Sequence, residues 1–355
     1  IDYLTYSYDE TGNINGYLII TNKKIIETNE ESGEETTRNV SLFTNVNLDG
    51  KQTWEKEISI ENYSSINKIL ACYNDSSSFD GYILIATLQT NQNKSATLIR
   101  LDKELNISWQ KDQITEEGKD TLYQDITNIW EENKIIGYAA IETVTQNSKP
   151  VSKLVRFDKE GNKEVILESL EEYYSCNLSE ANNGFILYGL TSNVKVNAGK
   201  YSYYLVNYDS ANNEVWESIG DIGISNKEKI KLLPIREKDN ITKYLFLYQN
   251  SKDLSKEVIE LDLDGLLKKK IKKISNDYYH INEFTSNGEI LYFVGYITCP
   301  EEDNCNYDTH SLFLISDEDK VIEVEPKTAN GISMVTLGIV CLIILIVFIK
   351  KKKRD

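Results

Sequence analysis

Six aspartates, Asp49, Asp102, Asp158, Asp209, Asp262 and Asp317, each close an apolar run, and they stand 53, 56, 51, 53 and 55 residues apart. A carboxylate can hold a cation, move a proton or, more locally, accept backbone N–H groups a few residues on and so close a turn, with a glycine at the fourth position relieving a positive φ. Asp158 with Gly161 has that spacing in full, and Asp49-Gly50 and Asp264-Gly265 are shorter versions, so the six are read as turn formers. Asp262-Leu263-Asp264-Gly265 also sets two carboxylates beside a glycine, as a calcium loop does, but the later ligands of such a loop are missing. No metal site and no cofactor are expected.

Other chemistry is sparse. There are two histidines, His280 and His310, and no Gly-x-Ser-x-Gly, His-Glu-x-x-His or phosphate loop, so no catalytic residue is nominated. A pair among the 56 acidic residues could still converge in the folded chain as a glycosidase pair does, which keeps polysaccharide hydrolysis or lysis as the rival reading. Cys299 and Cys305 flank a short loop and are expected to form a local disulfide, whereas Cys72 and Cys176 fall in strand-like surroundings. Of the 23 tyrosines most are read as interior packing; Tyr278 and Tyr279, at the start of a strand, are the candidate ligand contacts. Sequons such as Asn39-Val40-Ser41 and Asn93-Lys94-Ser95 are read as chance in an Asn- and Ser-rich chain.

The segments that must position these residues are strands. Apolar residues alternate before each aspartate (Ile99 and Leu101, Val155 and Phe157, Val206 and Tyr208), which is the pattern of a half-buried strand. An earlier continuous apolar run, often opened by glycine and an aromatic as in Gly81-Tyr82 and Gly184-Phe185, reads as a strand buried on both faces. With a weaker strand ahead of it and another behind the aspartate, each repeat holds four. Six such repeats, at about 1–60, 61–115, 116–170, 171–222, 223–276 and 277–324, predict an all-β, six-bladed β-propeller.

The rhythm of apolar residue, aspartate, glycine and tryptophan resembles the repeats of pyrroloquinoline-quinone-type and WD-repeat-like propellers. The resemblance covers residues 3–324 and implies that Trp54, Trp109 and Trp216 dock one blade on the next. No cofactor-binding residue of those enzymes is matched, so the resemblance implies architecture and no redox cofactor.

The chain closes with an uncharged stretch, 332–349, followed by a basic tail, 350–355. Eighteen uncharged residues, an apolar run broken only by Ser333, Thr336 and Gly338, are just enough to cross a bilayer as a helix, and the basic end marks the cytoplasmic side. Ahead of it, in the linker 325–331, Glu325-Pro326-Lys327-Thr328-Ala329 resembles the cell-wall sorting signal of Gram-positive surface proteins, with Glu325 in place of leucine and Ala329 in place of glycine. The resemblance implies a sortase that cuts after Thr328; a helix retained in the membrane is the alternative. Both put the propeller outside the cell, and the leader needed for export is expected to lie upstream of Ile1 or to have been removed.

A formal charge of −17 argues against nucleic acid as a partner. These observations together predict a binding or adhesion module, tethered at the cell envelope and recognising a protein or glycan.

Overall fold

Strands of this chain find their partners next to them in sequence. The computed structural model describes residues 3–9, 14–28, 35–47, 51–58, 60, 63–74, 78–89, 93–113, 118–170, 173–191, 201–225, 230–237, 240–274, 279–286, 291–298, 309–315 and 320–324. Its 24 strands form six four-stranded antiparallel sheets, each a meander in which every strand pairs with the next: an all-β repeat of propeller-blade type. The chain divides between residues 170 and 171 into two compact units of three sheets each.

In the first unit, sheet 1 holds β1 (Tyr3–Tyr8), β2 (Ile14–Thr28), β3 (Glu35–Asn47) and β4 (Gln52–Ile58). Sheet 2 holds β5 (Tyr63–Tyr73), β6 (Phe79–Gln89), β7 (Lys94–Leu101) and β8 (Ile107–Asp112). Sheet 3 holds β9 (Lys119–Glu131), β10 (Lys134–Gln146), β11 (Lys149–Phe157) and β12 (Lys163–Leu167). Side chains two apart on a strand share a face. Leu84, Ala86 and Ile99 of sheet 2 therefore enter a core with Leu18, Ile20 and Phe43 of sheet 1. Their neighbours Ile83, Ile85 and Leu98 enter a second core with Tyr123, Ile126, Val155 and Phe157 of sheet 3. A strand with both faces covered cannot alternate with polar residues, which is why β6 reads as one apolar run. Each such aliphatic side chain contributes about 1.5–3 kcal/mol on burial.

In the second unit, sheet 4 holds β13 (Tyr173–Glu180), β14 (Phe185–Thr191), β15 (Tyr201–Tyr208) and β16 (Glu214–Ile224). Sheet 5 holds β17 (Lys231–Glu237), β18 (Asn240–Gln249), β19 (Lys256–Leu261) and β20 (Leu267–Ile274), and sheet 6 holds β21 (Tyr279–Ser286), β22 (Leu291–Thr298), β23 (Thr309–Ile315) and β24 (Lys320–Val324). Strand β18 splits as β6 does: Tyr244, Phe246 and Tyr248 pack with sheet 4, and Leu245 and Leu247 with Ile281 and Leu291 of sheet 6. Tyr203 and Tyr204, one of the tyrosine doublets, are both buried.

Among the described residues, four hairpins between third and fourth strands share one construction. Asp102, Asp158, Asp209 and Asp262 each accept at the main-chain oxygen from the residue three positions on, at 3.1 Å, closing a type I turn. That third residue is left-handed: Leu105 (φ 61), Gly161 (φ 80), Asn212 (φ 69) and Gly265 (φ 72). The aspartate Oδ1 accepts the N–H four positions on, at 2.7–2.8 Å. In three hairpins the residue there is Asn106, Asn162 or Asn213, whose amide also donates to Oδ2. In the fourth, Lys268 takes Oδ2 at 2.7 Å. Sheet 1 uses Asn47 at this place, its Oδ1 accepting Lys51 N–H at 2.9 Å. Asp49 and Asp317 lie outside the described residues, as do Tyr278, Cys299, Cys305, Pro326, Thr328 and Ala329.

Candidate binding cleft

A cleft of about 410 Å³ opens in the first unit between sheets 2 and 3. Tyr73 and Asn74 enter it from the end of β5, Asp80 from β6, Trp109 from β8, Tyr138 from β10 and Lys159 from the β11–β12 turn. Its organising group is Arg100 on β7, opposite Trp109 in the β7–β8 register. The Arg100 side chain is only 12% exposed. Its guanidinium donates to the main-chain oxygens of Asp80 (2.7 Å), Tyr82 (3.1 Å) and Leu101, and to the half-exposed Asp80 carboxylate at 2.9 Å. Gly81 makes this convergence feasible. Its φ of 110° is open to glycine, and a Cβ there would fall 2.2 Å from the Leu101 oxygen and 2.8 Å from Arg100 Nη1.

Behind the cleft, the Cys72 sulfur and the Tyr138 hydroxyl lie 3.2 Å apart. Burial pushes the thiol up to about 11 and the phenol above its ordinary value, so both stay protonated at neutral pH. Asp102 is held below its ordinary value: burial opposes this, and the bonds from Asn106 and Glu104 outweigh it. The titratable groups of this cleft therefore hold its shape. Trp109 and Tyr73 line it together with Asn74, Asp80, Asp102, Ser108 and Lys159.

Several other acidic residues among the described residues are ion-paired. Asp125 on β9 meets Lys68 on β5 at 2.5 Å, and Glu180 on β13 meets Arg236 on β17 at 2.8 Å. Glu142, 5% exposed, pairs with Lys163 at 2.9 Å. Both Asp262 oxygens are engaged, Oδ1 by the N–H groups of Asp264 and Leu266 and Oδ2 by Lys268. In the second unit Glu257, 3% exposed, accepts from the Tyr248 hydroxyl, Asn250 Nδ2 (3.1 Å) and Lys270 Nζ (2.9 Å).

The three tryptophans of the repeat lie on fourth strands. A Cβ on Gly161, in the turn of sheet 3, would come 2.8 Å from Cη2 and Cζ3 of Trp109 on sheet 2. A Cβ on Gly265, in the turn of sheet 5, would come 3.1 Å from Cζ3 of Trp216 on sheet 4, where Ser218 also donates to the Gly265 oxygen at 3.0 Å. Each of these indoles thus lies under the next sheet's hairpin. Trp54 lies beside the hairpin of sheet 2 but stays 42% exposed. Val165 holds the corresponding position in sheet 3.

Sequence reasoning missed Arg100, Asp80 and Tyr138, which carry no motif and meet only through cross-strand pairing within sheet 2 and the packing of sheet 2 on sheet 3. The asparagine four places after the aspartate was a visible signal, repeated three times. Of the tyrosine pair proposed as ligand contacts, Tyr279 begins β21, and its side chain lies outside the described residues, as does Tyr278. Among the described residues no helix is long and apolar enough to cross a membrane; 332–349 lies outside them.

No protein-family model matches the chain, and no curated protein matches it. Several solved structures are similar to it. A mutant of Synechocystis apocarotenoid oxygenase shares 11% identity over 79% of this chain and 62% of its own, with a TM-score of 0.46. The chain thus spans less than two thirds of that protein. The WD40 domain of SCAP from fission yeast shares 9% identity over 93% of this chain and 91% of that one, with a TM-score of 0.39. An oligogalacturonate lyase in complex with manganese shares 11% over 89% and 76%, with a TM-score of 0.40.

Proposed function

We propose that this protein is a non-catalytic binding module displayed on a bacterial cell envelope, tethered by its C-terminus through 332–349 or, after cleavage at Thr328, through a sortase product. The observation that carries the binding reading is the cleft around Arg100, where each charged group with a resolved bonding pattern is spent on the protein's own backbone or on a neighbour. Such a wall recognises shape and hydrogen-bonding pattern and does not supply a proton or nucleophile. The rival, polysaccharide hydrolysis, needs a carboxylic acid able to donate a proton beside a second carboxylate; Asp125, Glu142 and Glu180 are engaged with cations instead.

The test uses the full chain expressed in a Gram-positive host with and without sortase. Mass spectrometry of cell fractions reads the C-terminus, and the displayed protein is screened against glycan and envelope-protein arrays. Ligand capture lost in Trp109→Ala, without product release from polysaccharide substrates, is the expected result. Reducing ends released from any polysaccharide would replace binding by hydrolysis, and a chain found only in the cytosol would remove the envelope reading.

A further inference from the structure

Three hairpins meet a tryptophan of the preceding sheet, and one of the three differs. Gly161 and Gly265 occupy the left-handed position and let their turns lie on Trp109 and Trp216. At Trp54 that position belongs to Leu105, with φ 61, a conformation that disfavours a bulky side chain. The leucine side chain is buried in the core shared by sheets 1 and 2, 3% exposed. The indole is left open beside a groove of about 370 Å³, walled by Trp54, Glu55, Lys56, Lys103, Glu104 and Leu105. Lys56 Nζ is anchored on the Glu104 oxygen at 2.7 Å and Asn106 Oδ1 at 2.9 Å, so the floor is braced.

We infer that this groove is a carbohydrate subsite, separate from the Arg100 cleft, in which the Trp54 indole stacks on the apolar face of a neutral pyranose. An exposed indole offers a broad flat apolar surface with a polar edge. The groove's lining holds two lysines and two glutamates, so its walls carry no net charge to mark them for a polyanion or polycation. Lys103, Glu55 and Glu104 in the same lining supply a donor and acceptors for ring hydroxyls. A neutral polyhydroxylated ring with one apolar face matches both properties, and a charged chain matches neither.

The test is calorimetric titration of the full chain in detergent with four neutral hexasaccharides, of β-1,4-glucose, β-1,4-xylose, β-1,4-N-acetylglucosamine and β-1,4-mannose. At least one should bind, and Trp54→Ala should weaken it by about tenfold or more, while Trp54→Phe, which keeps a flat ring, should cost about two- to threefold. The circular dichroism of both variants reports folding, and the Phe variant keeps the test valid if the Ala variant is unstable. Loss of binding in Trp109→Ala but not in Trp54→Ala would overturn the groove and leave the cleft reading standing. Loss in Trp54→Ala alone supports the groove even if the cleft reading fails. Binding of none of the four sugars overturns the proposal.

Discussion

Arg100 in the first unit and Glu257 in the second are both charges withdrawn from water, and they are compensated in opposite ways. Arg100 spends most of its donors on three backbone oxygens. Glu257 receives a hydroxyl, an amide and an ammonium, all from side chains. Backbone oxygens move only if the sheet moves, whereas side chains can change rotamer and find new partners. A cleft wall that must keep its shape is better built on the first arrangement, and the cleft stands on Arg100.

That contrast makes Arg100→Met the most damaging change, at about 3–5 kcal/mol in urea unfolding, because carbonyls at the Gly81 approach lose their donor together. A cost under about 1 kcal/mol would break the comparison. Glu257→Gln should cost about 1–3 kcal/mol, since Tyr248 and Asn250 can bond an amide while Lys270 turns to solvent. A loss larger than that of the Arg100 variant would invert the argument.

Gly161→Ala and Gly118→Ala form the next test. Both glycines are left-handed, but a Cβ at Gly118 meets nothing within 4 Å whereas one at Gly161 meets the Trp109 ring. The backbone term is about 1 kcal/mol for each, and an added loss of about 1 kcal/mol at Gly161 in thermal melts would measure the hairpin's seating on the indole. Equal losses would mean that the seat contributes nothing.

The smallest effect is set by pH. Bonds from the side chain and then the backbone of Asn213 hold Asp209 below its ordinary carboxylate value. A depressed folded value gives stability that is present above the unfolded value, near pH 4, and lost as pH falls through the folded one. Asp209→Asn should therefore melt slightly below the parent at pH 7, by less than about 1 kcal/mol, and the two should converge in acid. A constant gap from pH 7 down to pH 2 would show that the turn gains nothing from the charge.

Strand positions and hairpins were legible because burial on two faces and the aspartate turn leave local marks, as in Ile83-Leu84-Ile85 and Asp158-Lys159-Glu160-Gly161. The register of sheet 1 was less so, since Asn47 does there what aspartate does elsewhere, and Asp49, two residues on, matched the spacing nearly as well. The cleft was not legible. Arg100 lies 20 residues from Asp80 and 38 from Tyr138, and only the pairing of β6 with β7 and the packing of sheet 2 on sheet 3 bring them together. The open indole at Trp54 was hidden for another reason: the sequence alone does not show that the next hairpin places Leu105, not a glycine, in the left-handed position beside it.

Where a hairpin seats on the preceding sheet's tryptophan, as at Gly161 and Gly265, the repeat has a polarity. One end carries the plug, a left-handed turn, and the other the socket, an indole, so neighbours join head to tail through unlike surfaces. A stretch of some fifty residues copied in tandem would bring both halves of the joint with it. Such a chain can change its number of repeats by duplication or loss without inventing an interface, and a joint whose plug no longer fits, as at Leu105, becomes surface on which a new ligand can be selected.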